Sequence, residues 1–68
     1  MNISARNQLK GKVKELKKGP VSTEVVIDVN GSEVVSSITT ASAESLNLSV
    51  GDDVVAIVKA SNVMVGKE

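Results

Sequence analysis

The sequence predicts an all-β fold, a five-stranded OB-like Greek-key barrel with one short helix between strands three and four. Three observations point to it. Valine is the commonest residue and β-branched side chains dominate the apolar set, which favours extended chain. Apolar residues recur with period two in short runs, each ended by turn chemistry. One interval, beginning near Thr40, breaks that period and carries helix formers instead.

The first strand is predicted over Leu9-Lys10-Gly11-Lys12-Val13-Lys14, with Leu9, Gly11 and Val13 on one face and the three lysines on the other. Leu16 falls out of phase, so a bulge or twist is expected near Glu15. Gly11 in mid-strand signals a bend or a close backbone approach. Lys18-Gly19-Pro20 reads as a turn. The second strand, Val21–Val29, has its odd positions apolar, with Thr23 fitting the same face. Asn30-Gly31 is the strongest short hairpin signal, a type I′ turn with both central residues at positive φ. The third strand, Glu33–Thr39, follows.

Ala41–Leu46 is predicted as about two turns of helix, with a threonine as N-cap and Glu44 as an acid in the first turn. Leu46 and Leu48 would pin it to the barrel. Leu48–Asp52 is a loop turning at Gly51, and Asp52-Asp53 read as caps in the turn that enters strand four. That strand, Asp53–Lys59, is apolar on both faces, so it is expected to be covered by the core and by another subunit. A last strand is predicted at Asn62–Val65.

A chain of 68 residues makes one small domain, here residues 1–68. At that size only about 60% of the unfolded surface is buried, and small scaffolds add disulfides, metals or oligomerisation. Cysteine and histidine are both 0, which leaves oligomerisation. Their absence also removes the commonest general base and the best nucleophile, so an enzyme is not expected. With no Phe, Tyr or Trp, there is no stacking platform for single-stranded nucleic acid. No apolar run reaches the 18 or so residues of a membrane helix, and the N-terminus lacks a signal-peptide h-region. A cytoplasmic location is the expectation.

The net charge of +0 hides a segregation. Residues 1–18 carry Arg6, Lys10, Lys12, Lys14, Lys17 and Lys18 against Glu15, for +5. The remainder carries Lys59 and Lys67 against Glu24, Asp28, Glu33, Glu44, Asp52, Asp53 and Glu68, for −5. That pattern suits self-complementary packing, a local anion site, or simple solubilisation of an exposed strand. It does not suit a DNA footprint, for which a pI above about 9 is typical; here it is 6.2.

Small donors gather near isolated cations in Ser4-Ala5-Arg6, Thr39-Thr40-Ala41-Ser42 and Lys59-Ala60-Ser61. Tetrahedral dianions are held by convergent N–H and O–H donors with one or two cations, and alanines let backbone amides approach. Each segment also has a plain reading: a frayed terminus, a helix cap, a surface lysine.

Ser4-Ala5-Arg6-Asn7-Gln8-Leu9-Lys10-Gly11 resembles the opening of the molbindins, the small molybdenum-pterin-binding proteins whose module recurs in bacterial molybdate-responsive regulators. Ile38–Leu48, Val50-Gly51 and Val58-Lys59-Ala60-Ser61-Asn62-Val63 match the remaining blocks in order, so the resemblance runs from Ser4 to Val65. It implies a barrel strand-exchanged within a homohexamer, a trimer of dimers, that binds molybdate or tungstate between subunits. Ser4, Ala5, Arg6, Lys59, Ala60 and Ser61 would come from one subunit, Thr39 and Ser42 from its neighbour. A second kind of site near the threefold axes is also implied, with the Gly19-Pro20 turn as a candidate. The function implied is molybdenum storage or homeostasis. The alternative is an interaction module that binds a molybdopterin or delivers the oxyanion. A DNA-linked sensor would need a separate reader, since no helix-turn-helix fits beside the barrel.

Overall fold

The computed structural model describes residues 2–68. Strand β1 runs Asn7–Lys18, β2 Ser22–Val29 and β3 Ser32–Thr39; helix α1 covers Thr40–Ser45, β4 covers Asp53–Val58, and a 3₁₀ turn follows at Ala60–Asn62. The strands form one antiparallel sheet in the order β3-β2-β1-β4. The all-β expectation with one short helix before β4 holds.

Strand β1 is longer than the alternation suggested, because it serves two partners. Its first half pairs with β4, from Asn7 opposite Val58 to Lys12 opposite Asp53. Its second half pairs with β2, from Lys12 opposite Asp28 to Lys18 opposite Thr23. The expected irregularity sits between Val13 and Glu15. Around it the loop before β4 docks: the Val13 amide donates to the Asp52 carbonyl at 3.0 Å, and the Gly51 amide donates to the Val13 carbonyl at 2.8 Å. Asn30 and Gly31 have φ of 51° and 89°, the conformation the β2–β3 hairpin demands.

The core is small. Val13, Val25, Ile27 and Ala56 form its buried cluster, with Leu16, Val29, Val34, Ile38, Leu48 and Val54 half-buried around it. The single chain exposes 5397 Å², against about 4,000 Å² for a compact monomer of this mass. Its radius of gyration is 12.6 Å, where about 11 Å is usual for the length. One copy leaves unusually much surface open.

Part of the reason is that the predicted fifth strand does not form. Asn62–Val65 joins no sheet, so the sheet has four strands rather than five. The Asn62 amide donates to the Lys59 carbonyl at 2.8 Å and the Val63 amide to the Ala60 carbonyl at 3.3 Å, which turns the chain out of line with β4. Val63-Met64-Val65 has no alternation that would give it an inner and an outer face, and Met64 and Val65 are each 93% exposed.

The segregated charge is largely resolved inside the chain. Lys12 pairs with Asp53 at 2.7 Å, Lys14 with Glu33, Lys17 with Glu15 and Glu24 at 3.7 and 3.8 Å, and Lys18 with Glu44 at 3.1 Å. These pairs are exposed and add little stability. The hydrogen bond and charge of Asp53 raise the Lys12 pKa above its ordinary value, and Glu33 does the same for Lys14. That slight gain is present below the ordinary lysine range and vanishes as pH climbs through the raised values. Among the described residues, Arg6, Lys10, Lys59 and Lys67 form no ion pair.

Two threonines anchor the helix. The Thr40 hydroxyl donates to the Gly19 carbonyl at 2.6 Å, so the buried contact at 2.8 Å between Thr23 and Thr40 has Thr23 as donor. Thr40→Val removes the acceptor of a buried Thr23 hydroxyl and the partner of Gly19, whereas Thr23→Val leaves the Gly19 bond in place. The expected result is a loss of about 1–3 kcal/mol for Thr40→Val and clearly less for Thr23→Val. Urea unfolding of both variants at one protein concentration measures it; equal losses would contradict the assigned donor order.

Candidate anion-binding site

Arg6 and Lys59 come together because each flanks the last paired position of β1 and β4. Asn7 lies opposite Val58, so Arg6 stands just before the ladder and Lys59 just after it. The Asn7 side chain fastens this end, its amide donating to the Val58 carbonyl at 3.1 Å across 51 positions of sequence. The 3₁₀ turn then folds Ala60 and Ser61 back beside Lys59.

The result is an open hollow of about 690 Å³ that contains Ser4, Ala5, Arg6, Lys59, Ala60 and Ser61 in its lining, together with Ile3, Ile57 and Asn62. Six of the eight residues expected from sequence therefore share one concavity. Among its lining residues none is acidic, so its formal charge is +2. The neighbouring hollow beside Lys10 and Lys12 differs in this respect, since Asp28 and Asp53 line it too. The Arg6–Lys59 hollow is larger than a tetrahedral oxyanion needs and is open on one side.

Thr39 and Ser42 lie elsewhere. Thr39 is the N-cap of α1, its Oγ1 accepting from the Ser42 amide at 3.0 Å and donating to Ser42 Oγ at 2.7 Å. Thus a threonine is the N-cap, as expected, but the helix starts at Thr40 rather than Ala41 and Glu44 falls outside the first turn, contrary to the sequence reading. Because Thr39 Oγ1–H points at Ser42, the Ser42 hydroxyl hydrogen is free to donate to a third group. Thr39 pairs with Ser22, next to the Thr23–Lys18 end of β1. Arg6 and Lys59 flank its Asn7 end. β1 has 12 residues, and at about 3.3 Å per residue its ends lie up to about 36 Å apart. One chain does not bring the two groups together.

Sequence reasoning missed Asn7 as the clamp, and Ile3, Ile57 and Asn62 as lining. Asn7 belongs to the Ser4–Gly11 block, but only the strand register reveals what its amide reaches. Of the two acids expected as turn caps, Asp52 is one, its Oδ2 accepting from the Ser49 amide at 2.9 Å, whereas Asp53 already belongs to β4 and holds Lys12 instead. Among the described residues no cluster of carboxylates, cysteines or histidines suits a metal cation.

A small β-sheet module with a carboxylate-free cationic hollow at its strand ends is the class that this geometry defines. The TOBE domain family matches residues 3–65. A "Probable molybdenum-pterin-binding protein" of Haemophilus influenzae is 52% identical over 69 residues, covering 100% of both chains. A solved molybdate-binding protein from Sporomusa ovata superposes with a TM-score of 0.94 at 46% identity, over 98% of this chain and 100% of that one. The cytoplasmic molybdate-binding protein ModG, in a form with molybdate bound, gives 0.84 at 49% identity over 88% of this chain and 43% of its own. The chain belongs to the molbindin family, with the TOBE domain as its body.

Proposed function

We propose that the protein binds molybdate, and tungstate, at sites completed between copies of itself, and that it serves intracellular molybdenum storage or homeostasis. The observation that carries this reading is the division of the donors within one chain. Arg6 and Lys59 offset a dianion's charge in a hollow without carboxylates, while Thr39 and Ser42 offer hydroxyls at the far end of β1. A second copy closes the open side. Ser4, Ser61 and the backbone of Ala5 and Ala60 supply neutral donors that direct the oxygens without adding positive charge, so the anion can still leave.

The excess exposed surface supports assembly, and the extended, unpaired Val63–Val65 arm suits exchange onto the sheet of a second copy. The proposed assembly is a homohexamer, a trimer of dimers. No catalytic role and no nucleic-acid partner belong to the proposal, since four of the five β1 lysines, all but Lys10, already face carboxylates of their own chain.

Native mass spectrometry with molybdate, and with sulfate as control, tests it. The expected spectrum is a hexamer that gains several molybdates and no sulfate. A monomer, or an oligomer indifferent to molybdate, overturns the reading. A pterin chromophore that co-purifies and survives dialysis would replace it with the molybdopterin-binding module.

A further inference from the structure

Alternation along β4 sends Ala56 into the core and Ile57 to the opposite face. Ile57 is 41% exposed, at a position where a strand with water on that side ordinarily carries a polar residue. Ile57 is absent from the core cluster, although its other flank borders a hollow that Leu46, Leu48 and Val55 also line. What surrounds it does suggest a use: Ile57 is opposite Gln8 in the register, two residues before Lys59, and lines the same hollow as Arg6 and Lys59. Ile3, 43% exposed, lines it as well.

From this placement we infer that Ile57, assisted by Ile3, is a specificity-determining residue that disfavours sulfate relative to molybdate. The inference rests on the oxyanion reading above. An anion oxygen held against an apolar wall gives up water and receives no donor in return. That loss is greater for the smaller dianion, whose charge is more concentrated and whose hydration is stronger, because solvation of an ion weakens as its radius grows. Sulfate and molybdate share shape and charge, so hydrogen-bond donors alone separate them poorly. A wall without donors separates them by size and by hydration together.

Competition calorimetry on the intact oligomer tests this, with molybdate as titrant and sulfate as competitor. Ile57→Thr keeps a β-branched strand former but adds a hydroxyl. It is expected to reduce the molybdate-to-sulfate preference about tenfold, mainly by tightening sulfate. Ile57→Val keeps the wall apolar and is expected to keep the preference. Ile3→Thr, outside every strand, is expected to move the ratio the same way by less, and it remains informative if Ile57→Thr fails to fold. An unchanged ratio in Ile57→Thr and Ile3→Thr overturns the inference, as does an equal change in Ile57→Val. Loss of the oligomer in Ile57→Thr, with the ratio intact in Ile3→Thr, assigns Ile57 to subunit packing instead. If the unaltered protein takes up no molybdate, the oxyanion reading itself fails, which is a separate result seen before any variant is made.

Discussion

Replacing Arg6 or Lys59 with alanine is expected to weaken molybdate binding about 10- to 100-fold each. A hydrogen bond to a charged group contributes roughly 1.5–3 kcal/mol, and each 1.4 kcal/mol or so is a factor of ten in affinity. Among the described residues neither cation forms an ion pair, so both losses should appear in binding and not in stability. Calorimetry with molybdate, beside thermal unfolding of the same samples, separates the two. Arg6→Lys retains the charge but loses the planar donor fork, so an intermediate affinity is expected. A stronger form of the test uses the division of the site. Arg6→Ala damages one half-site and Thr39→Ala/Ser42→Ala the other. Unfolded and refolded together, the two variants should recover a minority of tight sites that neither shows alone. Unchanged affinity in both Arg6→Ala and Lys59→Ala would sink the assignment.

Much of the fold was legible because its signals are local. Asn30-Gly31 specifies its turn through positive φ at two consecutive residues. The bulge showed as a phase slip of Leu16, and a threonine N-cap was expected before the helix, although the helix starts one residue earlier than the pattern indicated. Strand five failed for a different reason. A short apolar run such as Val63-Met64-Val65 says that surface must be covered, not which chain covers it. The same limit hid half of the site. Arg6 and Lys59 meet only through a strand pairing between distant parts of the sequence, and the roles of Asn7 and Ile57 depend on that register. Their grouping was read from the resemblance, block by block, not from the spacing. The charge segregation does not by itself show which charges stay unpaired: β1 lies between β2 and β4, and four of its lysines meet acids from both of them and from β3 and α1, while Arg6 does not.

Gly11→Ala is expected to be the most destabilising single-methyl change in the chain. A Cβ at Gly11 would collide with the Asp28 carbonyl oxygen and stand 2.8 Å from Ile27 Cγ2 and 3.0 Å from Val29 Cγ2. The first of these is backbone in a paired strand and cannot rotate aside. Overpacking of this kind costs about 1–3 kcal/mol or more, against a total of only about 5 kcal/mol for a domain near the lower size limit. With roughly 4–8 °C of thermal midpoint per kcal/mol at this length, a fall of about 4–24 °C follows. Two other glycines calibrate the effect. Gly31→Ala meets open space but is forced to a φ of 89°, which penalises any L side chain; about 1–2 kcal/mol is expected there. Gly66→Ala meets nothing within 4 Å and has no conformational restriction, so it should be neutral. Measured at one protein concentration, to hold any assembly equilibrium fixed, the midpoints should rank Gly66→Ala above Gly31→Ala above Gly11→Ala. The loss should also reach the site. Gly11 pairs with Val54 on β4 while crowding β2 from the other side, so any relief of the clash moves β1 relative to β4, the two strands whose ends hold Arg6 and Lys59 together. A Gly11→Ala protein that melts with the Gly66→Ala control would mean that β1 and β2 part more easily than their packing indicates.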